Sequence, residues 1–198
     1  MEKLMCDKKF EIVSAPDKEF IMAFDKAMNE FGYNCGDVVN RRKDKRIIQY
    51  KKIGVKSSPF VAQIQISDGN ISLHYQFKNR IDFNRKMEKL RDYIENAPEH
   101  IKNAFLFNNN PCKYCKENCN KYFYTLHGKL YEVCGAEFEF SQFNVEKLSD
   151  YMELLSKFYP PKKENKNVWK KNKIWRSYIK LVQRWYEKKD IDLTIRQL

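Results

Sequence analysis

Phe60-Val61-Ala62-Gln63-Ile64-Gln65-Ile66-Ser67-Asp68-Gly69-Asn70-Ile71-Ser72-Leu73-His74-Tyr75-Gln76-Phe77 is the stretch that decides the fold. Apolar and polar residues alternate along it, which is the period of a strand with one face buried. Asp68-Gly69 interrupts the alternation and is the kind of pair that closes a two-residue hairpin. With those two as the turn, Ile66 falls opposite Ile71, Ile64 opposite Leu73, Ala62 opposite Tyr75 and Phe60 opposite Phe77. The other face receives Gln65 with Ser72, Gln63 with His74 and Val61 with Gln76. A slip of one residue would mix the two sets, so the pattern itself selects the register.

Outward from this hairpin the chain reads as an α+β domain with an antiparallel sheet and packed helices. Lys9–Val13 is expected as a short strand. Pro16 or Asp17 then opens a helix with Phe20, Phe24, Ala27 and Phe31 inward, stopping at Gly32. Residues 34–45 are polar and basic and are expected as a loop, and Arg46–Lys52 as a strand ahead of the hairpin. Asp82 is placed to cap a helix to about Asn96 that carries Met87, Leu90, Tyr93 and Ile94. Pro98 breaks it, and Glu99–Leu106 forms a second short helix. Beyond a cysteine-bearing segment, Lys121–Thr125 and Leu130–Cys134 read as a hairpin and Glu137–Phe140 as a strand. Val145–Phe158 reads as a helix ended by Pro160-Pro161, and Trp169–Lys188 as a last one. The expected division is residues 1–163 as the α+β domain and 164–198 as a basic, aromatic, helical extension.

Composition narrows the class. Fourteen Phe and twelve Tyr among 198 residues allow a real core, and six Gly with six Pro argue against low complexity. No run of 18 apolar residues exists, so no membrane span is expected. The N-terminus lacks an apolar signal core, so the expected address is the cytoplasm, where thiols stay reduced. The net charge of +12 is uneven: residues 157–198 hold 13 Lys+Arg against 4 Asp+Glu, leaving 25 against 22 before them. A basic tail suits nucleic acid, an acidic protein surface or anionic lipid, and composition does not choose among them.

Cys112, Cys115, Cys119 and Cys134 follow the spacing C-x2-C-x3-C-x14-C. Two cysteines two residues apart reach one tetrahedral ion through a tight turn, and Cys119 joins them after one more bend. The fourth is distant. If His127-Gly128 turns the second hairpin, Leu126 pairs with Lys129 and Lys121 with Cys134, two residues past Cys119. The hairpin then delivers the fourth thiolate, and His127 stands at the far tip, roughly 20 Å off at about 3.3 Å per residue. The expectation is one closed, structural Zn2+ site that staples the hairpin, since four protein ligands leave no position open for chemistry. An iron–sulfur centre and four unrelated thiols are the alternatives.

The cysteines, the run Tyr93-Ile94-Glu95-Asn96-Ala97-Pro98-Glu99-His100-Ile101-Lys102, the segment Tyr124-Thr125-Leu126-His127-Gly128-Lys129 and Phe158-Tyr159-Pro160-Pro161-Lys162-Lys163 together are similar to one known domain. It is a cysteine-containing α+β domain of low-GC Gram-positive bacteria, found alone or behind the helix-turn-helix regions of transcriptional regulators. The resemblance spans about residues 7–163 and implies a sensor or interaction module. This sequence shows no helix-turn-helix ahead of the match, and residues 164–198 lie beyond it.

Three further groups of residues bear on function. Gln63, Gln65, His74 and Gln76 share one face of the central hairpin. That face is either simply wet or a pocket for a small molecule or a protein partner. Lys173, Arg176, Lys180 and Arg184 form a basic stripe beside Trp175, Tyr178 and Trp185. The stripe suits phosphate contact with base stacking, or equally a solvated flank of a packed helix. Catalysis has little support, because His74, His100 and His127 show no triad or zincin spacing and no phosphate-binding glycine loop exists. Cys35 is the one candidate for a reactive thiol, and it lacks a base nearby in sequence. The function expected is therefore non-enzymatic, zinc-stabilised binding or regulation. The competing readings are a nucleic-acid-binding accessory protein and a small thiol enzyme.

Overall fold

The computed structural model describes residues 10–40, 45–55, 59–77, 80–107, 121–135, 137–141 and 144–160. In chain order these form α1 (Ala15–Glu30), β1 (Tyr33–Asn40), β2 (Lys45–Lys52), β3 (Phe60–Ser67), β4 (Asn70–Gln76), α2 (Arg80–Glu95), α3 (Glu99–Leu106), β5 (Lys121–Leu126), β6 (Lys129–Cys134), β7 (Glu137–Phe140) and α4 (Leu148–Phe158). The fold is α+β. One antiparallel sheet has the order β1-β2-β3-β4-β7, and β5 with β6 makes a separate two-stranded sheet. Contacts divide the chain into units Met1–Phe158 and Tyr159–Leu198; of the second, only Tyr159 and Pro160 are among the described residues. No described helix is long and apolar enough to cross a membrane.

The central hairpin has the expected register: Ile66 opposite Ile71, Gln65 opposite Ser72, Ile64 opposite Leu73, Gln63 opposite His74 and Ala62 opposite Tyr75. Asp68 (φ 50°) and Gly69 (φ 79°) both adopt the left-handed region, as a two-residue hairpin turn of this hand requires. At Gly69 a Cβ would stand 3.0 Å from the carbonyl oxygen of Ile12, so the turn also admits a close backbone neighbour. The ladder stops at Ala62 and Tyr75, short of the expected pairs at Val61 and Phe60.

Two expectations fail. Residues 10–13 do not form a strand but a tight turn, closed by a hydrogen bond from Val13 N to the Phe10 carbonyl (3.1 Å). Residues 33–40, expected largely as loop, form the edge strand β1. It carries a bulge between Cys35 and Asp37, where Gly36 is the extra residue. A bulge breaks the two-residue period, and an edge strand has only one neighbour to satisfy, so its sequence lacks the usual alternation. Smaller shifts occur at helix ends. Ser14 caps α1 by accepting from Asp17 N at 3.3 Å, α2 begins at Arg80, and Val145–Lys147 is a 3-10 turn ahead of α4.

One face of the large sheet is apolar and covered. Phe24 of α1 meets Tyr50 and Tyr75 (5.2 and 6.4 Å between ring centroids), and Tyr151 of α4 meets Phe140 at 5.5 Å. Phe138 of β7 is fully buried among Phe77, Phe83, Phe105 and Tyr124. The buried Tyr75 hydroxyl donates to the Tyr151 carbonyl at 2.9 Å, which removes the one polar cost of placing a phenol there. This layer joins α1–α4, the sheet and the β5–β6 hairpin into a single core.

Candidate functional site: a polar cluster on the second sheet face

Strand alternation puts Gln49, Gln63, Gln65, Ser72, His74, Gln76, Glu137 and Glu139 on the other face. A merely wet face would leave them exposed. Instead Gln49, Gln63 and His74 are only 7%, 4% and 8% exposed. Side chains of this kind are seldom buried without a partner, and here Gln63 and His74 converge on a carboxylate.

Glu137 Oε1 is the hub. It accepts from Gln63 Nε2 at 2.7 Å and faces His74 Nδ1 at 3.1 Å, with Gln65 Nε2 at a long 3.5 Å. On the other side of the imidazole, Ser72 Oγ lies 2.8 Å from His74 Nε2. The carboxylate selects among the neutral tautomers the one with its proton on Nδ1, in which Nε2 accepts from the Ser72 hydroxyl. It also fixes the Gln63 amide, since a flipped amide would set two acceptor oxygens against each other. Gln63 Oε1 is then left buried, with no hydrogen-bond partner among the described residues.

Ser72, His74 and Glu137 have the connectivity of a hydroxyl, a base and the group that orients it. Acyl transfer needs more than that. It requires hydrogen-bond donors facing the substrate where an oxyanion develops, and backbone N–H groups within a strand lie in the plane of the sheet, toward neighbouring strands.

Of the residues singled out from sequence, Gln63, Gln65 and His74 meet at the carboxylate, while Gln76 is half-buried in β4 opposite Glu137. Glu137, Ser72 and Gln49 were missed. Gln49 has a usable signal, because it follows Ile47 and precedes Lys51 in a strand and so falls opposite Gln63. Cys35 is half-buried in β1 opposite Tyr50, on the sheet face away from His74. Burial above all, with Asp25 and Cys35 nearby, pushes the Tyr50 hydroxyl well above its ordinary range.

Cys112, Cys115 and Cys119 lie outside the described residues, as do Lys173, Arg176, Lys180 and Arg184. Cys134 ends β6 with its backbone opposite Lys121, in the register read from the sequence. His127 (φ 48°) and Gly128 (φ 73°) make the turn, and the His127 N–H donates to Glu95 at 2.6 Å. Among the described residues, no group of three or more His, Cys, Asp or Glu side chains is arranged to hold a metal ion. No protein-family model, curated protein or solved structure matches the chain.

Proposed function

We propose that the protein is a non-enzymatic, sensor-like domain that binds a small polar ligand on the second face of its sheet, at Gln63, Gln65, His74 and Glu137. The observation that carries this reading is the burial of Gln63 and His74 around one carboxylate. A buried network of this kind rigidifies and specifies the surface it builds, and it is costly if left incomplete. The resemblance to the domain of low-GC Gram-positive bacteria points to the same class of function.

Native protein should carry a small molecule. Mass spectrometry of the intact, folded chain is expected to show an adduct that denaturation releases and that His74→Phe abolishes. If the folded chain carries no adduct, and a broad panel of polar metabolites leaves the melting temperatures of wild type and His74→Phe alike, the reading fails.

The same proposal includes a structural Zn2+ held by Cys112, Cys115, Cys119 and Cys134 in a reducing, cytoplasmic setting. The Lys121–Cys134 pairing supports it, because it brings the backbone of Cys134 opposite Lys121, two residues after Cys119 in the sequence. Structural zinc binds small modules with an apparent ~10–16 kcal/mol, enough to fold the segment around it. Purified protein is expected to contain one zinc per chain, and Cys134→Ser to lose it along with the order of residues 112–134. Full zinc occupancy and an unchanged melting temperature in that variant would remove the four-thiolate assignment.

A further inference from the structure

We propose that Ser72 is an acyl acceptor: its hydroxyl, activated by His74 and Glu137, takes an acyl group from an activated ester of the aryl-ester or thioester class. The proposal stands on the geometry of these side chains and does not depend on the small-molecule reading above.

The arrangement is a nucleophile, its base and the group that orients the base. Ser72 Oγ lies 2.8 Å from His74 Nε2, and His74 Nδ1 lies 3.1 Å from Glu137 Oε1. Both contacts are within the reach that proton transfer needs, and they use opposite nitrogens of one ring. His74 is only 8% exposed, so its imidazole is held in this setting by packing as well as by its two partners. Ser72 is half-buried and lies just outside the last β4–β7 pair, Leu73 with Phe140, so the β7 ladder does not flank it. The role asks only that Glu137 face His74, and further partners of that carboxylate do not alter it.

Strand N–H groups do not serve an oxyanion above the sheet, but a side-chain amide can. Gln65 stands directly opposite Ser72, and the Cβ atoms of such a pair are about 4.5–5.5 Å apart. Gln65 Nε2 is 3.5 Å from Glu137 Oε1, the outer limit of a hydrogen bond, so little is lost when the amide turns to a new acceptor beside Ser72. One neutral amide suits the single oxygen of a carbonyl. Phosphoryl transfer spreads charge over three oxygens and calls for cationic clamps or metal ions.

In the step, a lone pair of Ser72 Oγ forms the bond to the acyl carbon while the hydroxyl proton passes to His74 Nε2. The bond from that carbon to the phenolic oxygen or thiol sulfur then breaks. The leaving group keeps the bonding pair and takes the proton from Nε2, which returns His74 to its neutral form. The products are a Ser72 ester and a free phenol or thiol, and no oxidant or reductant is consumed.

The test treats the full-length chain with p-nitrophenyl acetate, follows p-nitrophenolate release, and locates the acetyl group by peptide mass spectrometry. Acetyl should appear on Ser72 ahead of the surface lysines, and Ser72→Ala, folded by circular dichroism, should lose that burst while its lysines react as before. His74→Gln should slow the burst at least about a hundredfold, and Gln65→Leu at least about tenfold. Glu137→Gln should slow it about tenfold, and Glu137→Asp, which retains a carboxylate, should slow it less, a rescue that a purely structural role would not show. Acetyl on lysines alone, or acetylation of Ser72 at the same rate in wild type and a folded His74→Gln, would overturn the proposal. Steady release after the first equivalent, lost in Ser72→Ala, would uphold the acyl step and overturn the non-enzymatic reading instead.

Discussion

The two faces of the five-stranded sheet both hold buried side chains, yet they are built on different physics. On one, Tyr50, Ala62, Ile64, Tyr75, Phe138 and Phe140 pack under helices, and burial is stabilising whatever the detailed partner. On the other, Gln63 and His74 are as thoroughly covered, but their burial is tolerable only through directed bonds to Glu137 and Ser72. The apolar face is robust to geometry and sensitive to lost volume. The polar face is sensitive to the loss of a single atom. The proposed ligand site would give the second face a use that accounts for that cost.

The comparison predicts a hierarchy of costs, the largest on the apolar face. Phe138→Ala removes a fully buried ring that stands 4.5 Å from Phe105 and 5.5 Å from Phe77, between centroids. Such a truncation costs about 3–5 kcal/mol, a large share of the ~5–15 kcal/mol typical of a domain. Urea unfolding should show the unfolding free energy falling by that amount or the chain failing to fold. A loss below about 1 kcal/mol would mean that the aromatic layer is not the core.

On the polar face the sharper experiment is a pair of variants. Glu137→Ala leaves Gln63 Nε2 and His74 Nδ1 buried without their acceptor, which is expected to cost about 1–3 kcal/mol. Glu137→Gln retains one acceptor oxygen and should cost less than half as much. Equal costs for the two variants in urea unfolding would show that Glu137 acts through packing or net charge rather than by accepting bonds. The distinction between the faces would then collapse.

How much of this was legible follows from the range of the contacts involved. The β3–β4 and β5–β6 registers could be read because turn and alternation lie within one continuous stretch, so Gln63 and His74 were already neighbours in the sequence. β1 could not be read, because Gly36 forms a bulge and the strand lies at an edge, which removes the alternating signal. Glu137 illustrates the second kind of failure. Its strand was visible in Glu137-Phe138-Glu139-Phe140, with the acidic residues on one face. Its pairing with β4, across some sixty intervening residues, leaves no local trace. The hub of the site is therefore the residue whose placement depends most on tertiary structure.

Two histidines allow the smallest and most specific prediction. His74, on the polar face, has hydrogen-bond partners at both ring nitrogens. His100 sits against the apolar layer, edge-on to Tyr151 at 5.4 Å, with Nε2 3.1 Å from Asp150 Oδ2. Burial pulls the His100 pKa below its ordinary 6.5; Lys147 pulls the same way, while Asp150 and its hydrogen bond oppose them. With the folded value below the unfolded one, the unfolded chain binds more protons as pH falls. The stabilisation from keeping His100 neutral is thus complete above the unfolded pKa and is lost as pH drops through the folded one. Between about pH 7.5 and about pH 5.5 the wild type should lose stability more steeply than His100→Gln, which cannot titrate. The difference should be smaller than the cost of Glu137→Ala. A steeper loss in His100→Gln would mean that Asp150 outweighs burial, so that His100, like His74, is held by its carboxylate and not by the apolar layer.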